Sequence, residues 1–245
     1  MKNVQIIPNL FTTGNICSGF LAILFVFKGE ITLACWLILV ANLFDIFDGK
    51  IARITKSTSN FGVQFDSLSD LVSFGISPAI LIYSLLLKYP HNRIVLVVVS
   101  LYVVCGALRL ARFNAQTKGV GKKFFTGLPI PAAGSLISSF VLTVNHYNLI
   151  IPRLLLIISM IVLSYLMIST IVYNVSIFAT ISSKRSFSYL VTIVLGISLI
   201  ALSPKIIIFI ILFLFTLSGP LNLFYKASLA YSSKYLTFTK EIFRH

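Results

Sequence analysis

The sequence predicts an all-α, polytopic membrane bundle of about eight transmembrane helices with both termini on the cytoplasmic side. Three observations predict it. Of 245 residues, 58% are hydrophobic and only 11% are charged, whereas soluble domains carry roughly a quarter charged residues. The apolar residues recur in windows of the roughly 20 residues that a spanning helix requires. Cations, finally, are shared unequally between the loops that those windows define.

The windows fall near 10–27, 31–52, 66–88, 93–114, 129–149, 152–174, 186–203 and 205–225. Lys2 ahead of an apolar run resembles a signal peptide. The polar stretch from Pro8 to Asn15 interrupts that run, however, and more apolar windows follow, so the first reads as a retained span. Lys28-Gly29-Glu30 and Tyr89-Pro90-His91-Asn92 supply breaks between spans. The longest polar stretch between early spans lies at 115–128. Alternating the sides places 15 of the 20 Lys and Arg on one face and five on the other, which marks the first face as cytoplasmic. A missed span would reverse the downstream assignments and blur that asymmetry. Residues 1–225 then form one membrane-embedded domain, and 226–245 a basic, aromatic cytoplasmic tail.

The formal net charge is +14. A positive-inside bias accounts for the bulk of it; attraction to anionic lipid or a phosphorylated substrate is the alternative. Cys17, Cys35 and Cys105 lack metal-site spacing and read as small buried hydrophobes. His91, His146 and His245 are isolated, which argues against a histidine-based metal or nucleophile site. Nothing in the sequence points to a nucleic-acid partner.

The acidic residues are the informative ones. The chain has six, and four of them, Asp45, Asp48, Asp66 and Asp70, lie between positions 45 and 70. Ionised groups at membrane depth are costly, so their concentration requires a cause. Asp45, Asp48, Gly49 and Ala52 fall within an arc of about 60° on one helix. Gly62, Asp66, Ser69, Asp70 and Ser73 share a face of the next. Four carboxylates aimed at one cleft repel each other, and the remedies are protonation, pairing with cations, or metal. Oxygen-only ligands suit hard cations, namely one or two Mg²⁺ or Mn²⁺, with Ca²⁺ fitting the same set. An ion-pair network with Lys50, Arg53 and Lys56, or an ion-transport site, are the competing readings. Gly49, Ala52 and Gly62 lie toward the same cleft, where a missing Cβ admits a flat base or a phosphate. Close helix packing is the alternative for each glycine.

The run Asp45-Ile-Phe-Asp48-Gly49-Lys-Ile-Ala52-Arg53, followed by Gly62, Asp66 and Asp70 at set spacing, resembles the signature of the CDP-alcohol phosphatidyltransferase family. The resemblance implies that Asp45, Asp48, Asp66 and Asp70 hold the metal, with Asp70 also the general base on an acceptor hydroxyl. It implies that Gly49, Ala52 and Gly62 line the cytidine site, with Arg53 near the phosphates. It also implies a homodimer in the inner membrane of a prokaryote, with a six-span catalytic core at about 8–175. The last two spans depart from that core.

Within the family, the chain is similar to bacterial membrane-integral phosphatidylserine synthases. The residues are Pro8-Asn9-Leu-Phe-Thr12-Thr13-Gly14-Asn15, the stretch from Asp66 through Gly75 to Pro78-Ala79, Arg109-Leu-Ala-Arg112-Phe-Asn114, and Gly127-Leu-Pro129-Ile-Pro131. This similarity implies CDP-diacylglycerol as donor and L-serine as acceptor, and adds Asn9 and Thr12 to the CDP-lipid site. Arg109 and Arg112 suit the serine carboxylate through charge-assisted bidentate hydrogen bonds; snorkelling at the membrane edge is their alternative. Glycerol 3-phosphate and inositol remain alternative acceptors.

Overall fold

The computed structural model describes residues 6–55, 59–87, 92–117, 126–171, 173, 203 and 205–223. The described chain is helical: α1 (Ile6–Phe27), α2 (Ile31–Ile54), α3 (Asn60–Asp70), a π-helical segment (Leu71–Ile76), α4 (Ser77–Leu86), α5 (Asn92–Thr117), α6 (Ile130–His146) and α7 (Arg153–Ile168). A last helix, α8, runs over Lys205–Leu223. The stretch from α3 to α4 is one continuous rod, Asn60–Leu86, and among the described residues five rods are long and apolar enough to cross a bilayer.

Two of the expected spans are shorter than their windows. Helix α6 has 17 residues and α7 has 16: each starts directly after the proline at the head of its window, Pro129 or Pro152, and stops short of the window's end, α6 at His146 just before Asn148 at φ 50° and α7 at Ile168. The window at 186–203, apart from its last residue, and the tail at 226–245 lie outside the described residues. The third span begins six residues before the expected position 66, since Ser59 caps the helix by accepting a hydrogen bond from Gly62 N over 3.0 Å.

The turn between α1 and α2 falls at the predicted break. Gly29 has φ +81°, its N–H reaches Val26 O, and Glu30 N reaches Phe25 O over 2.9 Å. These bonds close a Schellman motif, which needs a left-handed residue at Gly29.

Helix α1 is the hub for the signature segment. It packs along α2 on one side and along α3, the π segment and α4 on another, while α2 and α3 scarcely touch directly. Three serines on the third rod fasten it to α1 carbonyls. Ser69 Oγ donates to Thr12 O over 3.0 Å, Ser73 Oγ to Asn15 O over 2.9 Å, and Ser77 Oγ to Gly19 O over 2.8 Å. The helices approach so closely that a Cβ on Gly19 would lie 2.6 Å from Ser73 Cα. Small residues at such crossings are what brings helices together in lipid, where apolar burial gives no net drive.

The π segment has a sequence cause. Pro78 has no N–H, so the Phe74 carbonyl loses its donor four residues on. Tyr102 of α5 replaces it, donating from its hydroxyl over 2.9 Å. The same region is pressed by α6, where Gly134 faces the Phe74 backbone. Helix α6 is buried on most of its faces, and Asn42 of α2 donates to its Pro131 O and Ser135 Oγ. Cys35 and Cys105 are buried as expected, but Cys17 is exposed on the surface of α1. His146 is not isolated: Lys205 Nζ lies 2.9 Å from its Nδ1.

Candidate active site

The last turns of α2 carry Asp45 and Asp48, and α3 carries Asp66 and Asp70. The fold brings Asp45, Asp48 and Asp66 together, each placing a carboxylate oxygen within 4.8 Å of the others. Asp70 stands beside this triad, its carboxyl within hydrogen-bonding reach of Asp45. Asp48 and Asp70 are buried, Asp45 and Asp66 half-buried. Because α2 and α3 scarcely touch, α1 is the element that holds the two carboxylate-bearing helices beside each other.

Helix α1 also supplies polar partners. Thr12 Oγ1 lies 3.0 Å from Asp48 Oδ2 and 3.1 Å from Pro8 O; its single proton serves one acceptor at a time. Asn15 Nδ2 donates to Asp70 Oδ1 over 3.2 Å. Asp66 Oδ1, in contrast, is buried with no hydrogen-bond partner among the described residues. Buried polar oxygens are normally satisfied, and three clustered carboxylates repel one another away from bulk water. A hard divalent cation among the three relieves both problems, so the residues fit such an ion.

The expected cytidine-site residues lie on the same two helices as the aspartates, Gly49, Ala52 and Arg53 on α2 and Gly62 on α3. Among the described residues a Cβ on Gly49 would meet only Arg53 Nη2, at 3.9 Å, so packing against them does not require glycine there. Arg53 is exposed and folds back, its Nε donating to Gly49 O over 2.7 Å. Ala52 is half-buried beside it. A Cβ on Gly62 would lie 3.5 Å from Asn9 Oδ1, which places Asn9 of α1 at the start of α3.

The two arginines of α5 part company. Arg109 is buried at 9% exposure, lies over the Phe113 ring at 5.6 Å, and feels the charges of Asp70 and Asp45. Arg112 is tied elsewhere. Its Nη1 donates to Ile168 O over 2.7 Å, and its Nη2 lies 3.2 Å from Thr126 O and Met167 O and 3.3 Å from Ser169 O. Gly127 completes this clasp: its φ is +82°, and a Cβ there would sit 2.9 Å from Arg112 Nη2.

With this geometry established, comparison with known proteins is direct. The family model for CDP-alcohol phosphatidyltransferase matches residues 5–172. The chain belongs to the CDP-alcohol phosphatidyltransferase family. Among curated relatives, an archaetidylserine synthase of Methanothermobacter thermautotrophicus is 47% identical over 169 residues, covering 68% of this chain and 69% of that protein. A CDP-diacylglycerol–serine O-phosphatidyltransferase of Helicobacter pylori (strain J99) is 41% identical over 145 residues, or 59% of this chain. The match spans 61% of that relative's length. A protein of the same name from Mycobacterium bovis is 43% identical over 136 residues, covering 53% of this chain and 46% of the relative. The matched family region holds every site residue described above.

For a CDP-alcohol phosphatidyltransferase chain, the sequence reading located the aspartates but gave no role to Asn15, to the Ser69–Ser73–Ser77 ladder or to Tyr102. A signal was present for Asn15. It is an amide at membrane depth, one turn after Thr12, and such polar groups normally have a partner.

Proposed function

We propose that this protein is a metal-dependent phosphatidylserine synthase, transferring the phosphatidyl group of CDP-diacylglycerol to the hydroxyl of L-serine with release of CMP. One observation carries the choice of acceptor: a buried cation, Arg109, lies beside Asp70 at the edge of the aspartate cluster. A buried guanidinium suits a planar carboxylate, which serine has and inositol lacks. The names of the Helicobacter and mycobacterial relatives point the same way.

Asp45, Asp48 and Asp66 would hold a divalent cation such as Mg²⁺ or Mn²⁺, which supplies charge neutralisation at phosphate oxygens. Gly49, Ala52 and Gly62 leave space for the cytidine, with Asn9 and Thr12 at the α1 edge and Arg53 toward the diphosphate. Arg109 holds the serine carboxylate. Asp70 accepts the serine hydroxyl proton, and that oxygen attacks the lipid-side phosphorus as the bond to CMP breaks. The apolar walls of the cleft exclude water that would compete as acceptor. The cation asymmetry supports eight spans, with both termini and the cleft on the cytoplasmic side of an inner membrane. A homodimer is proposed from the family resemblance.

Purified protein supplied with CDP-diacylglycerol and each of serine, glycerol 3-phosphate and inositol tests the reading. CMP release is expected with serine alone and without any ion gradient, and a chelator should stop it. Release with another acceptor and not with serine overturns the assignment. Direct displacement further predicts inversion at a chiral phosphorus.

A further inference from the structure

We propose that Asn15 is a positioning residue that fixes the orientation of the Asp70 carboxylate for proton uptake. The inference rests on the reading of Asp70 as the general base. Asn15 is 0% exposed and Asp70 6% exposed, and the amide donates from Nδ2 to Asp70 Oδ1 over 3.2 Å. The other end of the amide, Oδ1, is buried and has no partner among the described residues. An asparagine kept for structure alone is normally satisfied at both ends. Here only the donor end is used, and it is aimed at the base.

The backbone around Asn15 is fixed independently of that bond. Its own carbonyl accepts from Ser73 Oγ, with Ser69 and Ser77 holding Thr12 O and Gly19 O on either side. The side chain therefore starts from a set position and reaches Asp70 without moving the helix. Asp70 has two charged neighbours acting in opposite senses, the Asp45 carboxylate, which repels it, and the Arg109 guanidinium, which attracts it, and either can turn it out of line. A primary amide holds one oxygen as a neutral donor. It orients the carboxylate without adding a second positive charge to a group that must take up a proton.

Two variants test this: Asn15→Leu, similar in size without a donor, and Asn15→Asp, the same shape with the donor replaced by an acceptor. Each should lower kcat about 10²-fold, within the range for loss of a well-placed acid–base group. KM for CDP-diacylglycerol and the thermal stabilisation produced by CMP should stay at wild-type values. Combined with Asp70→Asn, neither should lower activity further, because a positioning residue acts only through the group it positions. If kcat stays within twofold of wild type in the variants that fold, the proposal is wrong. It is equally wrong if CMP stabilisation falls in step with kcat, which would make Asn15 a packing residue. Turnover retained by Asp70→Asn alone would instead refute the base, and with it the reading on which this inference rests.

Discussion

Arg112 Nη1 donates to the Ile168 carbonyl oxygen over 2.7 Å, which ties the end of α5 to the last turn of α7. The final carbonyls of a helix have no internal donors, and the Arg112 fork supplies them together with the Thr126 carbonyl. Arg112→Ala should therefore lower unfolding stability in detergent by about 1.5–3 kcal/mol, the scale of a charged hydrogen bond. Arg112→Lys should recover only part, because an ammonium lacks the planar fork. The KM for serine should not change in the folded fraction. A raised serine KM at an unchanged melting temperature would instead move Arg112 into the acceptor site.

Arg109 makes the opposite prediction. It is buried beside the carboxylate cluster, and no bond to a helix end is seen for it among the described residues. Arg109→Gln should raise the serine KM roughly 10- to 100-fold, matching about 1.5–3 kcal/mol of charge-assisted hydrogen bonding. KM for CDP-diacylglycerol should change little. Kinetics with each substrate varied in turn make the distinction.

The convergence of the aspartates was legible because helix periodicity and a rare residue type coincide. Acids are scarce in this chain, so four at helical spacing stand out, and the structure brings three within 4.8 Å. The separation of Arg109 from Arg112 was legible only in part: Arg109 lies deeper in its predicted span, which favours it for the acceptor carboxylate, but nothing in the sequence shows what claims Arg112. Three positions apart, the two lie on similar faces of one helix, and only the end of α7, distant in sequence, claims Arg112. The π segment was hidden for a related reason. Pro78 announces a missing donor, but its replacement by Tyr102 of α5 is a tertiary fact. The windows for α6 and α7 overrun the helices mainly at their far ends, because apolar residues such as Leu149 and Ile171 carry the hydropathy past His146 and Ile168, where the helices stop.

Metal removal should abolish turnover and also act on the protein itself. Without a cation, Asp45, Asp48 and Asp66 repel one another, so added Mg²⁺ or Mn²⁺ should raise the melting temperature by mass action. The shift should vanish in Asp66→Asn, which removes the carboxylate whose Oδ1 is buried and unpartnered. It should survive in Asp70→Asn if the ion sits on the triad rather than on all four aspartates. Mn²⁺ binding followed by electron paramagnetic resonance reads the same point without any assay of activity.

Two glycines on neighbouring helices should respond to alanine in opposite ways. At Gly19, a Cβ would come within 2.6 Å of Ser73 Cα, and a backbone atom cannot yield as a flexible side chain can. Gly19→Ala should push α1 from the third rod and cost about 1–3 kcal/mol of stability, as overpacking does. Activity should fall with it, since Thr12 and Asn15 ride on the displaced helix. At Gly49 no side chain among the described residues comes nearer than 3.9 Å to such a Cβ, so alanine fits and should raise helix stability by up to about 1 kcal/mol. Yet if the space beside Gly49 receives the cytidine, Gly49→Ala should lower kcat/KM for CDP-diacylglycerol at least tenfold while the protein melts no earlier. Wild-type kinetics in that variant would mean that the notch beside Gly49 is not where the nucleotide lies.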